Sequence, residues 1–304
     1  MQGLELCRRF YEDCGAPAIE ARFGARAARI AAGLAGAGSD CLGFDDEISR
    51  DHDFGPAFCL WLTDKDYTDF GAELRRVYED LPREYRGIRR TTEPQGADRI
   101  GVMRIGDFYA RFTGCRDVPR DDISWLRIPE HLLAAAVSGE VFRDELGEFS
   151  RIRAGLAAFY PRDVRLKKLA SRIFTMAQSG QYNYPRMKKR GDAVASAFAL
   201  AEFARAAFSA FHLIDKKYMP YYKWAYRSAL NLPHFRAEAE MVACLFVAGT
   251  DCENVVESIC AATAKALVDR GLSESRDPFL VAHAQQIMCR IGNDRLRNLG
   301  ITVG

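Results

Sequence analysis

Histidines are few in this sequence, cysteine pairs are absent, and no long apolar run occurs. The five histidines are too dispersed to suggest a zinc site. The nine cysteines include no Cys-x-x-Cys pair, and their odd number predicts free thiols in a reducing compartment. No segment approaches the roughly 20 apolar residues that cross a bilayer, and acids stand where a signal peptide has its apolar core. These absences predict a cytoplasmic protein that has no contact with a membrane.

A strong net charge is also missing. The 43 lysines and arginines nearly balance 41 aspartates and glutamates, and the sequence pI is 8.0. Nucleic-acid-binding domains usually have a basic stripe and a pI above about 9, so a nucleic-acid partner is not expected. A chain of 304 residues is long for one core and comfortable for two domains.

The first part of the chain has the pattern of a mixed α/β domain. Apolar residues at helical spacing predict helices, and short apolar runs next to glycine predict strands. The predicted helices are residues 4–13, 67–81 and 108–113, and the predicted strands are 28–34, 54–62 and 100–105.

From about residue 128, alanine-rich helical patterns replace strand-like alternation. Their length and their Ala, Leu and Phe spacing are typical of antiparallel helices packed as a bundle. The sequence therefore predicts an α+β protein with an α/β domain over residues 1–127, which contains a small mixed sheet. A C-terminal α-helical bundle is predicted over residues 128–304.

A glycine-rich turn after the first predicted strand is a candidate binding site. A short helix is predicted to begin at Gly38-Ser39, with Ser39 as its cap. A helix N-terminus offers unpaired N–H groups and the positive end of its dipole to an anion. Glycine at position 38 lets the backbone approach a phosphate closely, because it has no Cβ. The turn is predicted to hold a triphosphate, and the alternative is a plain turn with a helix cap.

Two carboxylates, Asp51 and Asp53, precede the predicted strand 54–62. In extended backbone, residues i and i+2 point to one face, so both would project toward the Gly38-Ser39 turn. Adjacent carboxylates favour a cation beside them, and Mg²⁺ (or Mn²⁺) takes such hard oxygen ligands. We interpret them as the catalytic and metal-binding residues of in-line nucleotidyl transfer. The alternative is two surface acids that pair with Arg50 or a helix end.

The order of these features resembles the nucleotidyltransferase superfamily that shares the DNA polymerase β palm. Its helical second part makes the chain similar to aminoglycoside nucleotidyltransferases. Between residues 28 and 230 the sequence more closely resembles a bacterial family described as a domain of unknown function with a nucleotidyltransferase fold. The segments that carry this resemblance are LGFDDEISRDHDFGP, GEVFRDELGEFSRIR, YPRDVRLKKLA, SGQYNYPRMKKRGD and YMPYYKW.

The resemblance implies that Gly38 and Ser39 contact the phosphates of ATP or another NTP. It also implies that Asp51 and Asp53 are the first two metal ligands. The implied activity is transfer of a nucleoside monophosphate, AMP from ATP, to a hydroxyl of a small-molecule acceptor.

The superfamily's third carboxylate lies on a later strand, and here that strand carries Arg104. Asp98, Asp107 and Asp122 are nearby candidates. Without a third carboxylate, the alternative is a catalytically degenerate member that binds a nucleotide or a protein partner.

Cations in the helical part form a second candidate group. Arg186, Arg190 and Lys223 have the spacing to line a cleft for a base, a triphosphate or an acidic acceptor. The alternative is a solvated basic face. Lys167 and Lys168 are predicted to be exposed helix residues.

Overall fold

The computed structural model describes residues 2–50, 54–90 and 99–304. Over these ranges the protein has a mixed α+β fold, as the sequence predicts. The chain forms two compact units. The first consists of Met1–Pro119 and Leu132–Ala158, and the second of Arg120–His131 and Phe159–Gly304. The predicted division between residues 127 and 128 stays a prediction of domain organisation.

The first unit contains a small mixed sheet. Its strands are β1 (Ala31–Leu34), β2 (Cys59–Leu62), β5 (Gly101–Arg104) and β6 (Glu140–Arg143), in the order β5–β2–β1–β6. Strand β1 is antiparallel to β2 and β6, whereas β2 is parallel to β5. Two further short strands, β3 (Glu84–Tyr85) and β4 (Ile88–Arg89), form a separate hairpin.

Two features of this sheet differ from the prediction. Strand β2 begins at Cys59, not at residue 54, because Gly55 has a φ of +135° and Pro56 follows it. Strand β6 lies in a stretch that the sequence pattern assigned to helices. Its residues pair with Gly33 and Leu34 at the sheet edge, so a tertiary partner decides the conformation there.

Alternation along β2 explains how the sheet is buried. Phe58, Leu60 and Leu62 belong to a core cluster with the helices on one face. Trp61 points to the other face, where its ring stacks on Phe149 with centroids 3.8 Å apart. Successive strand residues face opposite sides, so both faces are covered by apolar side chains.

Helices account for most of the remaining chain. In chain order they are α1 Gly3–Phe10, α2 Ala16–Phe23, α3 Ser39–Leu42, α4 Asp64–Glu79, α5 Ile105–Thr113, α6 Asp122–Arg127, α7 Glu130–Val137, α8 Glu148–Ala157, α9 Arg162–Met176, α10 Tyr184–Lys189, α11 Ala193–Ile214, α12 Tyr222–Ala229, α13 Arg236–Cys244, α14 Cys252–Asp269, α15 Leu280–Cys289 and α16 Asp294–Arg297.

Helix α9 is the central helix of the second unit and packs against α11 and α15. Its buried residues lie on all sides of the helix, including the consecutive residues Leu166, Lys167 and Lys168. A π-helical segment, Ala177–Asn183, joins α9 to α10, whose first turn contains Pro185. Helix α11 begins after Asp192, whose side chain accepts a hydrogen bond from the Ala195 N–H at 2.9 Å.

One described helix, Ala193–Ile214, is long and apolar enough to cross a membrane by length and composition. Of its most apolar window, 44% is buried inside the protein. A core helix of a soluble protein passes the same test, so this is weak evidence for a membrane span.

Candidate functional site

The predicted phosphate-binding turn connects β1 to α3. Gly36, in the middle of the connection, has a φ of +130°, a conformation that favours glycine. Gly38 is the N-cap residue of α3, with extended backbone angles, and Ser39 is the first residue of the helix. The prediction that Ser39 itself caps the helix is therefore wrong by one residue, because the N-cap residue is Gly38, which has no side chain to cap the helix.

The space in front of Gly38 is filled by the protein's own side chains. Asp40 Oδ1 accepts hydrogen bonds from the Cys41 N–H at 2.7 Å and from Arg99 Nη2 at 3.3 Å. A Cβ at position 38 would overlap both Asp40 Oδ1 and Arg99 Nη2. Glycine is therefore required at position 38 because the Asp40–Arg99 ion pair lies close to its backbone.

A second loop of the first unit holds the turn in place. Ser138 Oγ donates to the Gly36 carbonyl at 2.6 Å, and the Gly139 N–H donates to the Cys41 carbonyl at 2.8 Å. Arg153 donates to the carbonyls of Val137 and Gly139, both at 2.7 Å, and so fixes that loop. Two hydrogen bonds from residues distant in sequence thus hold the turn and α3, and Arg153 holds the loop that donates them.

The predicted metal ligands Asp51 and Asp53 lie outside the described residues, as does Asp98. The chain between Phe54 and Phe58 is not a strand, so no described strand runs up to the two aspartates. Their shared face, and their role with a metal, stay predictions.

One acid of the same loop is described and is not an ordinary surface residue. Asp45 Oδ2 accepts a hydrogen bond from the Gly3 N–H at 2.8 Å. Its Oδ1 is buried and has no hydrogen-bond partner within residues 2–50, 54–90 and 99–304. The same is true of Arg90 Nε. Each of these two atoms could form a hydrogen bond with a group outside the described part of the chain.

The described candidates for a third carboxylate already have partners. Arg104 stands on β5, as the sequence predicts, and lies 3.6 Å from Asp64 and 3.9 Å from Asp107. Asp107 also pairs with Arg116. Asp122 belongs to the second unit and accepts a hydrogen bond from Asn293 Nδ2 at 2.7 Å. In the parts of the chain that are described, no three His, Cys, Asp or Glu residues are grouped as a metal site.

The predicted cations of the second unit lie at its surface. Arg186 is an exposed residue of α10, and its guanidinium lies 4.7 Å from the Tyr182 ring centroid. Arg190 is the exposed C-cap residue of the same helix. Lys223 is exposed on α12, beside the Trp224 ring. Among the described contacts, no hydrogen bond or ion pair links Lys223 to either arginine.

Lys167 and Lys168 were predicted to be exposed, and that prediction is wrong. Lys167 is 0% exposed and Lys168 2% exposed. No signal of this burial was present in the sequence, since the apolar residues Leu166, Leu169 and Ile173 share one face of α9 and the two lysines lie outside it. Lys168 lines a cavity of about 310 Å³ in the second unit, together with Glu130, Arg172 and Ser209. Sequence reasoning missed this group of polar residues.

Comparison with protein families gives one match. A family described as a domain of unknown function (DUF4037) matches residues 125–225. The matched range contains Arg186, Arg190 and Lys223, and also every residue lining the cavity except Gly304. Comparison with curated proteins and with solved structures found no match.

Proposed function

We propose that this protein is a Mg²⁺-dependent nucleotidyltransferase of polymerase β-like fold, with an α/β domain followed by a helical bundle. It transfers a nucleoside monophosphate, AMP from ATP, to a hydroxyl group of a small molecule. Asp51 and Asp53 hold the metal ion, and Gly38 and Ser39 contact the triphosphate. Arg186, Arg190 and Lys223 are proposed as further nucleotide contacts.

The strand register of the first unit is the observation that carries this proposal. Because Gly33 pairs with Cys59 in antiparallel strands, β1 ends where β2 begins. The chain therefore leaves β1 toward Gly38 at one end of these two strands, and the segment that follows Asp53 enters β2 at the same end. This arrangement supports an Asp-x-Asp pair acting beside a Gly-Ser turn, as in-line nucleotidyl transfer needs.

One observation favours a second candidate, nucleotide or protein-partner binding without transfer. A cation, Arg104, stands on β5, and the described acids Asp107 and Asp122 are paired with other residues. A metal held by two carboxylates alone would bind a nucleotide but lack a general base.

Isothermal titration calorimetry with ATP and Mg²⁺ tests the binding step. The variant Asp51→Asn/Asp53→Asn should lose Mg²⁺-dependent ATP affinity by at least about tenfold, because the metal loses its charged ligands. Asp46→Asn/Glu47→Gln removes the same charge from exposed residues nearby and should bind ATP like the parent. Equal ATP affinity in all three proteins would show that the site is misassigned.

A pyrophosphate-release assay over a panel of hydroxyl acceptors then separates the two candidates. Release that depends on Mg²⁺ and disappears in Asp51→Asn/Asp53→Asn supports transfer. ATP binding without release under any acceptor supports the second candidate.

A further inference from the structure

We propose that the cavity of the second unit binds a small organic anion that also carries a hydroxyl group, with Lys168 contacting the anionic group and Glu130 accepting from the hydroxyl. This proposal is independent of the nucleotidyltransferase reaction and concerns the second unit by itself.

The hydrogen bonding of Lys168 is incomplete among the described residues. Its ammonium has three N–H donors, and one of them reaches the Ile128 carbonyl at 3.2 Å. The Tyr160 ring centroid lies 5.2 Å away and offers only a cation–π contact. The other two donors have no hydrogen-bond partner among the described residues, although the side chain is almost fully buried. A buried ammonium in this state is costly unless another group accepts from it.

The neighbouring lysine shows that the fold can satisfy a buried ammonium. Lys167 Nζ donates to the carbonyls of Leu299 and Gly300, both at 2.8 Å. These bonds fix a C-terminal turn against α9 and leave no need for a ligand. The two lysines are adjacent on one helix, so the difference lies in what surrounds each of them.

The wall of the cavity carries a positive charge. The cavity is lined by four cationic residues and by the carboxylate of Glu130. The cations are Arg127, Lys168, Arg172 and Arg205. Glu130 Oε1 is 3.4 Å from Arg172 Nη2, and Arg205 Nη2 is 2.6 Å from Glu202 Oε1, so two of the four cations are partly neutralised. Arg127 and Lys168 keep the wall positive. Fixed positive charge lining a cavity favours an anion, and lysine is a common point-charge partner for phosphate and carboxylate groups.

One carboxylate oxygen of Glu130 has no hydrogen-bond donor among the described residues. Its Oε1 accepts hydrogen bonds from Ser209 Oγ at 2.7 Å and from Arg172 Nη2 at 3.4 Å. Its Oε2 is buried and has no donor in the described part of the chain. A carboxylate oxygen that is buried without a donor is destabilising, and a ligand hydroxyl would satisfy it.

The size of the cavity limits the ligand. A volume of about 310 Å³ lies near the lower end of the range for small-molecule sites, about 300–1,000 Å³. A compact molecule such as a hydroxylated phosphate monoester or a hydroxycarboxylate fits this range. Water alone is the simplest other occupant, since a polar cavity of this size holds several molecules.

Titration calorimetry with defined probes distinguishes these occupants. The probes are glycerol 3-phosphate, malate, inorganic phosphate and neutral glycerol. The parent protein should bind at least one of the two hydroxylated anions more tightly than inorganic phosphate and should not bind glycerol. Tighter binding of glycerol 3-phosphate would identify a site for a phosphate ester, and tighter binding of malate would identify a site for a carboxylate.

Two variants assign the contacts. Lys168→Met should weaken binding of the preferred anion at least about tenfold, whereas Lys189→Met removes the same charge from an exposed residue and should not. Glu130→Gln should bind inorganic phosphate as well as the parent does, but should lose the preference for the hydroxylated anion. Circular dichroism confirms that each variant is folded.

A cavity that holds only water gives a different result. The proposal is overturned if none of the anions binds the parent protein at millimolar concentration. It is equally overturned if Lys168→Met and Lys189→Met bind the preferred anion alike.

Discussion

The Gly38-Ser39 turn of the first unit and the cavity of the second unit differ in how their polar groups are satisfied. At the turn, Asp40 and Arg99 pair with each other directly in front of Gly38. In the cavity, two donors of Lys168 and one oxygen of Glu130 have no hydrogen-bond partner among the residues that the structure describes. The turn matches a sequence pattern but is occupied by the chain itself, whereas the cavity matches no pattern and is incomplete.

The comparison shows that two kinds of observation point to a ligand. A motif indicates a site through its resemblance to proteins of known chemistry. Unsatisfied buried groups indicate one through free energy, because each such group is stabilised when a partner arrives. A ligand at the turn must displace the Asp40–Arg99 pair or bind beside it, while a ligand in the cavity meets groups that are already unpaired.

The largest expected effect comes from removing the buried Lys168 ammonium. The pKa of Lys168 is lowered from 10.5 to about 8, mainly because burial disfavours the charged form. Glu130 raises this pKa and Arg172 lowers it, but both effects are smaller than that of burial. Below pH 8 the ammonium is charged in both the folded and the unfolded protein, so the free energy of unfolding is reduced by the full cost of burying the charge. Between pH 8 and 10.5 the folded protein releases the proton first, so stability rises with pH. Lys168→Met should therefore be more stable than the parent at pH 7, with a pH-dependent gain of roughly 3 kcal/mol.

Urea unfolding of both proteins at pH 7 and at pH 10.5 measures this gain. The difference in unfolding free energy should shrink as the pH rises. Loss of the bond to Ile128 adds a cost of about 1 kcal/mol, which does not depend on pH. A stability difference that is the same at both pH values would mean that Lys168 is well solvated in the folded protein.

The adjacent lysine should behave in the opposite way. Lys167→Met removes the donor to the Leu299 and Gly300 carbonyls, which are bonded at 2.8 Å. We expect this variant to be destabilised at pH 7 by about 1–3 kcal/mol, because two hydrogen bonds from a charged donor are lost. Its anion affinity should match that of the parent, measured by the same calorimetry. A Lys167→Met protein that loses anion binding while remaining folded would show that the two lysines share one site.

Local patterns predicted most helices and the inner strand well, and tertiary pairing explains what they missed. Residues 67–81 were predicted as a helix, and α4 spans Asp64–Glu79 because Thr63 caps it by accepting from the Asp66 N–H. Strand β6 could not be predicted, since its conformation depends on pairing with β1, more than 100 residues earlier in the chain. The late start of β2 follows from the positive φ of Gly55, which a sequence does not reveal.

For the candidate sites, the sequence could name residue types but not their partners. It placed glycine correctly at the tight turn, yet could not show that Asp40 and Arg99 meet there, because Arg99 arrives from another part of the chain. It misjudged Lys168 because lysine is rarely buried, and the burial comes from elements that pack on α9 from other parts of the chain. Both errors concern contacts between residues distant in sequence.

The smallest expected effect concerns the turn. Gly38→Ala places a methyl group against Asp40 and Arg99, and should destabilise the protein by about 1–2 kcal/mol, since a flexible guanidinium can move aside. In Asp40→Ala the obstructing carboxylate is absent, so adding Gly38→Ala should cost less. A double-mutant cycle measured by urea unfolding should give a coupling of about 1 kcal/mol between the two positions.

Gly114→Ala is the matched control for backbone strain without a steric clash. Gly114 has a φ of +72°, and a Cβ there would meet no atom within 4 Å. Its substitution should cost about 1 kcal/mol through the unfavourable backbone angle alone, and that cost should add to the effect of Asp40→Ala. Coupling at position 38 but not at position 114 would show that glycine is needed at the turn for close approach. Equal additivity at both positions would mean that the Asp40–Arg99 pair does not fill the space in front of Gly38.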